Sequence, residues 1–403
     1  MSQHYDSVRS VRTDETQAHS AISPATRASH GMVAAGFEPV AETFRRSFGR
    51  SDDHREVGAA VTVMHRGRCV VDLYGGSIAP GGAAWQPDTL VNVYSSTKGV
   101  VALCMALLVD RGVLRYEDRV AQIWPEFGQC GKGETTIAHV LSHQAGLPAF
   151  DEPVELQDLF DWERCCAALA KQSPRWVPGE CTGYHPITYG YLAGEIIRRA
   201  SGRSVGRMIA SEIAAPLGAD FHVGLPASCD AKVARLLAPK HMLDPTTIPL
   251  PPETRLSVTN PALQPDWANL APWRRAEMPA LNGHSSARAL ARIYSVLATG
   301  GEHAGQRFIS AATLERMTEV QSRRVDLVLG FEVEWALGVA RNGATGFFGP
   351  KAEVFGHSGW GGSFGCADPA QRLSIGYVCN QMGPDLVGDV RARELCNSIY
   401  ACL

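Results

Sequence analysis

The chain has 403 residues, 38 basic against 41 acidic side chains, a formal net charge of −3 and 45% hydrophobic residues. This near-balance, with its arginines scattered, offers no electrostatic footprint for nucleic acid or an anionic membrane, and the apolar content suffices for one large or two medium domains. Eleven cysteines, an odd number with no CxxC pair, suggest neither a zinc site nor a disulfide framework; no metal or cofactor is expected.

In chain order, residues 1–34 are polar and read as a mobile arm. They hold no apolar run of roughly 7–15 residues that would mark a secretion signal, so a cytoplasmic location is expected. Phe37, Val40, Phe44 and Phe48 recur three and four apart, predicting an amphipathic helix over 37–48. Ala59 to Tyr74 reads as a β-hairpin turning at Arg66-Gly67. Thr97 to about Leu114 is a nearly all-apolar helix, which belongs at the centre of the molecule. From 115 to 280 helices and loops follow, with a Pro-rich stretch from Pro239 to Pro279. Helical periodicity returns at 286–299 and 311–320, strand-like runs occupy 327–340, 352–356, 363–366 and 373–380, and a final helix spans about 385–402. Strands at both ends around a helical insert predict one discontinuous α/β domain over 35–114 and 283–403, with a mainly helical domain over 115–282. The cleft between them is the expected site.

The apolar helix opens on Ser95-Ser96-Thr97-Lys98. Positions i and i+3 share a helix face, which puts the Ser95 hydroxyl within reach of the Lys98 amine. A serine hydroxyl becomes a nucleophile when a base takes its proton, and lysine is such a base only when neutral, which burial favours. Of six lysines, only Lys98 has a serine three residues before it. Two later segments carry further chemistry. Pro178 to Glu195 is a turn, then Tyr184, then an apolar helix, and Gly356 to Gly365 is a Gly-rich strand edge opening on His357-Ser358-Gly359. Ser363, in Gly361-Gly-Ser-Phe-Gly365, formally matches the Gly-x-Ser-x-Gly nucleophile elbow. A strand-like segment rather than a helix follows it, and no histidine lies beyond 357, so Ser363 is read as a decoy.

The order Ser-x-x-Lys, Tyr-x-x, His-Ser-Gly resembles the serine β-lactamase and penicillin-binding-protein superfamily, and within it the family VIII carboxylesterases. The likeness runs from about residue 36 to the end and includes Val140-Leu-Ser-His-Gln-Ala-Gly-Leu147 and Ser286 to Ala298. It implies a β-lactamase-like α+β fold: a central antiparallel sheet flanked by helices, an all-α lobe, and the active site between them. It implies Ser95 as nucleophile, Lys98 as the base or as a partner that lowers the pKa of a tyrosine, and Tyr184 as second base and leaving-group acid, its phenol depressed by the neighbouring ammonium. The oxyanion hole is then the backbone N–H groups of Ser95 and Trp360, and His357, Gly359 and Trp360 contact substrate. Two departures stand out. The family's Tyr-x-Asn is here Tyr184-His185-Pro186, without the side-chain amide. His357 stands where penicillin-recognising relatives carry a lysine, and a neutral imidazole offers a substrate carboxylate less. Both point to small uncharged esters, with a homo-oligomer left open. Acyl transfer to an alcohol or amine, weak β-lactamase activity and a non-catalytic scaffold are the alternatives. His143 is expected to serve structure, ending a helix that Gly146 caps and tying loops together, and Glu195 to be solvated.

Overall fold

The computed structural model describes residues 29–403 other than 243 and 246. Its centre is an antiparallel sheet of nine strands among the described residues: β1 (Ser29–Val33), β2 (Gly58–His65), β3 (Arg68–Gly76), β4 (Ser322–Val325), β5 (Glu332–Trp335), β6 (Ala340–Arg341), β7 (Phe355–Ser358), β8 (Phe364–Asp368) and β9 (Leu373–Cys379). They lie in the order β1-β3-β2-β9-β8-β7-β6-β5-β4. Both ends of the chain thus build one sheet, with β2 and β9 joining them from Ala59↔Cys379 to His65↔Leu373. The β2–β3 hairpin turns where expected: Arg66 and Gly67 take φ of 52° and 77°, the left-handed pair whose twist suits a two-residue connection.

Alternation along the strands sets the two layers. Val61 and Val63 face a cluster with Val40, Phe44 and Phe48 of helix α1 (Glu38–Phe48), joined by Leu395 and Ile399 of the last helix, Val390–Tyr400. Ala60 and Val378 point the other way, towards the core that holds helix Ala287–Ala298. That second core surrounds helix α2 (Ser96–Asp110), which is buried from Ser96 to Leu108 and packs on helix α3 (Thr188–Ser201) and on β7. A helix apolar on every side has no face to offer water, and its central place follows.

Three expectations are corrected. The last residues of the arm, 29–33, form edge strand β1 against β3, from Ser29↔Gly75 to Val33↔Val71; residues 1–28 of the arm lie outside the described residues. The run 327–340 is not one strand: a turn precedes β5, and β4, which sequence did not suggest, is the far edge. Glu195 is buried, not solvated, with its carboxylate held by Arg198 at 2.7 Å and Arg199 at 2.6 Å. Segment 115–282 is mainly helical, yet its Phe221–His222 joins His284–Ser285 and Val91–Asn92 in a small sheet directly before the Ser95 turn.

Candidate active site

The chain leaves Val91–Asn92 and enters α2 through Tyr94, whose φ of 42° is left-handed for a bulky residue. That backbone costs about 1–2 kcal/mol and lifts Ser95 to the first position before the helix. One turn on, Lys98 is wholly buried and its Nζ lies 2.9 Å from Ser95 Oγ. The same nitrogen donates to the carbonyls of Pro186 at 2.8 Å and Ala280 at 3.2 Å. A neutral amine has two N–H donors and one lone pair, so the two carbonyls take the donors and the lone pair faces the Ser95 hydroxyl. Burial holds Lys98 well below the ordinary lysine value, which favours this neutral form.

Tyr184 completes the group. Lys98 Nζ lies 4.9 Å from the centre of its ring. Its hydroxyl is buried and falls short of hydrogen-bonding geometry with any described residue. Burial drives the phenol above its ordinary value; Ser95 lies near enough to pull it partly back. The expectation of a depressed phenol is therefore reversed. An amine kept neutral supplies no positive charge to lower it.

Residues 40–395 match the family model described as Beta-lactamase. The chain belongs to the β-lactamase family. It is 34% identical over 352 residues to the esterase/beta-lactamase LipL of Mycobacterium tuberculosis, covering 82% of this chain and 78% of that one. A solved family VIII carboxylesterase matches with a TM-score of 0.87 and 40% identity, covering 93% of this chain and all of that one (100%). A penicillin-binding-protein homologue from Caulobacter crescentus gives a TM-score of 0.88 and 42% identity, with coverage of 93% and 100%.

The third motif of this β-lactamase-family site ends strand β7. A side chain on Gly359 would strike the Val93 carbonyl at 2.1 Å, so glycine is what lets this edge close on the Ser95 turn. Its own N–H donates to Ser363 O at 2.6 Å, within the turn. The N–H groups of Ser95 and Trp360 make no backbone hydrogen bond among the described residues. The half-buried Trp360 ring lies 5.3 Å from that of Tyr94. His357 is buried, its Nδ1 donating to Ser358 O at 2.8 Å, and burial pushes the imidazole down to about 3. Ser363 sits between β7 and β8 with no helix after it, as its reading as a decoy requires.

Pro186 lacks an amide but contributes its carbonyl to Lys98. His143 does tie loops: its Nδ1 accepts the His185 N–H at 3.1 Å, and its carbonyl accepts Gly183 N–H at 3.1 Å. His143 takes the left-handed φ (60°) just past helix Ile137–Leu141, and Gly146, at φ 76°, turns the loop further on rather than capping the helix. Two residues to which no motif pointed, Asp326 and Trp335, stand beside Tyr184. The one local signal was the acidic residue interrupting Val325-Asp-Leu-Val-Leu329. Among the described residues no cluster of His, Cys, Asp or Glu could hold a metal ion, and no helix is long and apolar enough to cross a membrane.

Proposed function

We propose that the chain hydrolyses carboxylic esters of small uncharged molecules through an acyl-enzyme on Ser95. The observation that carries this is Lys98 Nζ 2.9 Å from Ser95 Oγ with two carbonyls on its other side. The neutral amine takes the Ser95 proton as Oγ attacks the ester carbonyl. The resulting ammonium keeps its hydrogen bonds to Pro186 and Ala280, so the transfer needs no rearrangement of the site. The tetrahedral oxyanion lies on the Ser95 and Trp360 amides, each such donor lowering the barrier by roughly 3 kcal/mol. Tyr184, held protonated, gives its proton to the departing alkoxide and recovers one from Lys98. Water then enters by the same route in reverse and releases the acid. The esterase names of two relatives support this chemistry. All eleven cysteines stand as free thiols, in keeping with the cytoplasmic location proposed for the chain.

The test is hydrolysis of p-nitrophenyl acetate together with labelling of Ser95 by a fluorophosphonate. Ser95→Ala and Lys98→Ala should each lower turnover by about 10³-fold or more with the circular dichroism unchanged. Turnover retained in either variant overturns the assignment. Transesterified product on adding short alcohols would make the chain an acyltransferase with the same residues.

A further inference from the structure

Asp326 is wholly buried in the turn after edge strand β4, on the Tyr184 side of the site. Its Oδ1 accepts three backbone N–H groups: Tyr184 at 2.8 Å, Val328 at 2.9 Å and Leu329 at 3.0 Å. Its Oδ2 accepts the Trp335 indole N–H at 3.0 Å. The Trp335 ring in turn lies parallel to the Tyr184 ring, 5.6 Å away at an interplanar angle of 2°. One carboxylate therefore fixes Tyr184 twice, through its own backbone and through the ring on which its phenol rests.

The contacts to Val328 and Leu329 are what any aspartate closing a turn would make. Those to Tyr184 and Trp335 are not, since they reach away from that turn, in the case of Tyr184 across 142 residues. The same stretch grips the Tyr184 segment again, with Leu327 N–H donating to Thr182 O at 2.8 Å and the Thr182 and Ser322 hydroxyls 2.5 Å apart. No cation pairs with Asp326 among the described residues; four neutral donors alone offset its desolvation. His143 meets the pair edge-on, its ring 4.3 Å from Trp335 and 4.9 Å from Tyr184, which closes the third side.

We propose that Asp326 is a positioning residue for the Tyr184 phenol, holding its backbone and its ring face at once; this rests on the catalytic role given to Tyr184 above. The carboxylate also acts through space. Its negative charge adds to burial in keeping the phenol protonated, the form in which Tyr184 can hand a proton to the leaving alcohol.

The experiment is a double-variant cycle with ethyl acetate, whose departing ethoxide needs the proton that p-nitrophenolate does not, reading kcat and KM separately. Tyr184→Phe should lower kcat by about 10²-fold. Asp326→Ala should lower kcat by roughly 10–100-fold with KM changed less than about 3-fold, the cost of a phenol out of place by about 1 Å. In the Tyr184→Phe background the same Asp326→Ala change should do nothing further. An equal loss in both backgrounds overturns the proposal, because Asp326 would then act without Tyr184. A Tyr184→Phe enzyme with full kcat refutes the role of Tyr184 itself, and the proposal with it. Should Asp326→Ala fail to fold, Asp326→Asn carries the test. It keeps an oxygen for the three backbone donors but sets its own amide against the indole N–H of Trp335. Its kcat should fall, and adding Trp335→Phe, which removes that opposing donor and keeps a ring under Tyr184, should restore part of the loss. Wild-type kcat in Asp326→Asn, or no recovery in the double variant, also overturns the proposal.

Discussion

Arg391 Nη2 donates to the Gly361 carbonyl at 2.7 Å, one residue past the Trp360 amide assigned to the oxyanion. The guanidinium is fully buried and doubly bonded to Asp389, at 2.9 Å and 2.8 Å, while Nη1 meets Gln381 O at 2.9 Å and Glu56 at 3.2 Å. A side chain on Gly362 would come within 2.6 Å of Asp389 and 2.7 Å of Arg391, so the ion cluster packs directly behind the Gly-Gly turn. Buried ions of this kind are costly, and truncating one partner removes about 3–5 kcal/mol of stability. Arg391→Lys keeps the charge but not the fork that spans Asp389 and Gly361. It should lower kcat by at least about 10-fold with KM nearly unchanged, since the oxyanion is bound only in the transition state. Steady-state kinetics with a melting curve check this; a variant with normal kcat would detach the cluster from catalysis.

As the proposed base, Lys98 should set the pH dependence. Burial lowers it well below the ordinary lysine value of 10.5, and the base acts when deprotonated. Rate must therefore rise with pH through the Lys98 pKa and level off above it, with the rise far to the acid side of 10.5. Lys98→Arg, which cannot lose its proton, should be inactive by about 10³-fold at every pH. A profile of kcat/KM from pH 5 to 10 reads this directly. A rate that falls as Lys98 deprotonates would remove it as the base.

What sequence makes legible here is local chemistry. Ser95 and Lys98 are one helical turn apart, and an apolar helix around them foretells the burial that neutralises the amine. The hairpin at Arg66-Gly67 and the stripe Val40, Phe44, Phe48 are equally local. Strand β1 is not, because its middle residues are exposed on a sheet edge and Gly31 breaks its alternation. The run 327–340 hides a turn, because an apolar string does not reveal that Asp326 will gather the backbone N–H groups of Val328 and Leu329. The rise of the Tyr184 phenol was equally hidden, since it depends on how completely the fold buries the phenol itself. Glu195 is buried only because Arg198 and Arg199, one turn on, come with it.

Charge selectivity follows from the same burial. His357 is held near 3, His185 also at about 3, and His143 well below its usual value, so at pH 7 no imidazole at the site is a cation. A substrate carboxylate there would be desolvated without a partner, which costs about 3 kcal/mol or more. Neutral esters should then exceed matched carboxylate-bearing esters in kcat/KM by at least about 10²-fold, and nitrocefin should be turned over poorly. Equal kcat/KM for the two esters would mean that a cation reaches the site after all.

Acid should unfold the protein through its buried imidazoles. His185, His284 and His357 are all pushed down to about 3 by burial, against an ordinary value of 6.5. Below pH 6.5 the unfolded chain protonates them while the folded one does not, so the unfolded state binds more protons and stability falls with pH, by about 1.4 kcal/mol per unit for each group. Glu56 runs the other way. Burial raises its carboxyl from 4.5 to about 7, so between those values the folded state keeps a proton that the unfolded state has lost, offsetting one imidazole. With His143, which burial also holds well below its usual value, the net loss is about 4 kcal/mol per pH unit between 6.5 and 4.5. Against a total stability of about 5–15 kcal/mol, that slope should unfold the protein a few pH units below neutrality. Guanidinium melts at pH 7, 6 and 5 measure it, and His284→Gln, which removes one buried imidazole away from Ser95, should flatten the slope by about 1.4 kcal/mol per unit. A midpoint that holds or rises on acidification from 6.5 to 5 would show that these imidazoles accept protons in the folded state, and with them the neutral site that the mechanism needs would be lost.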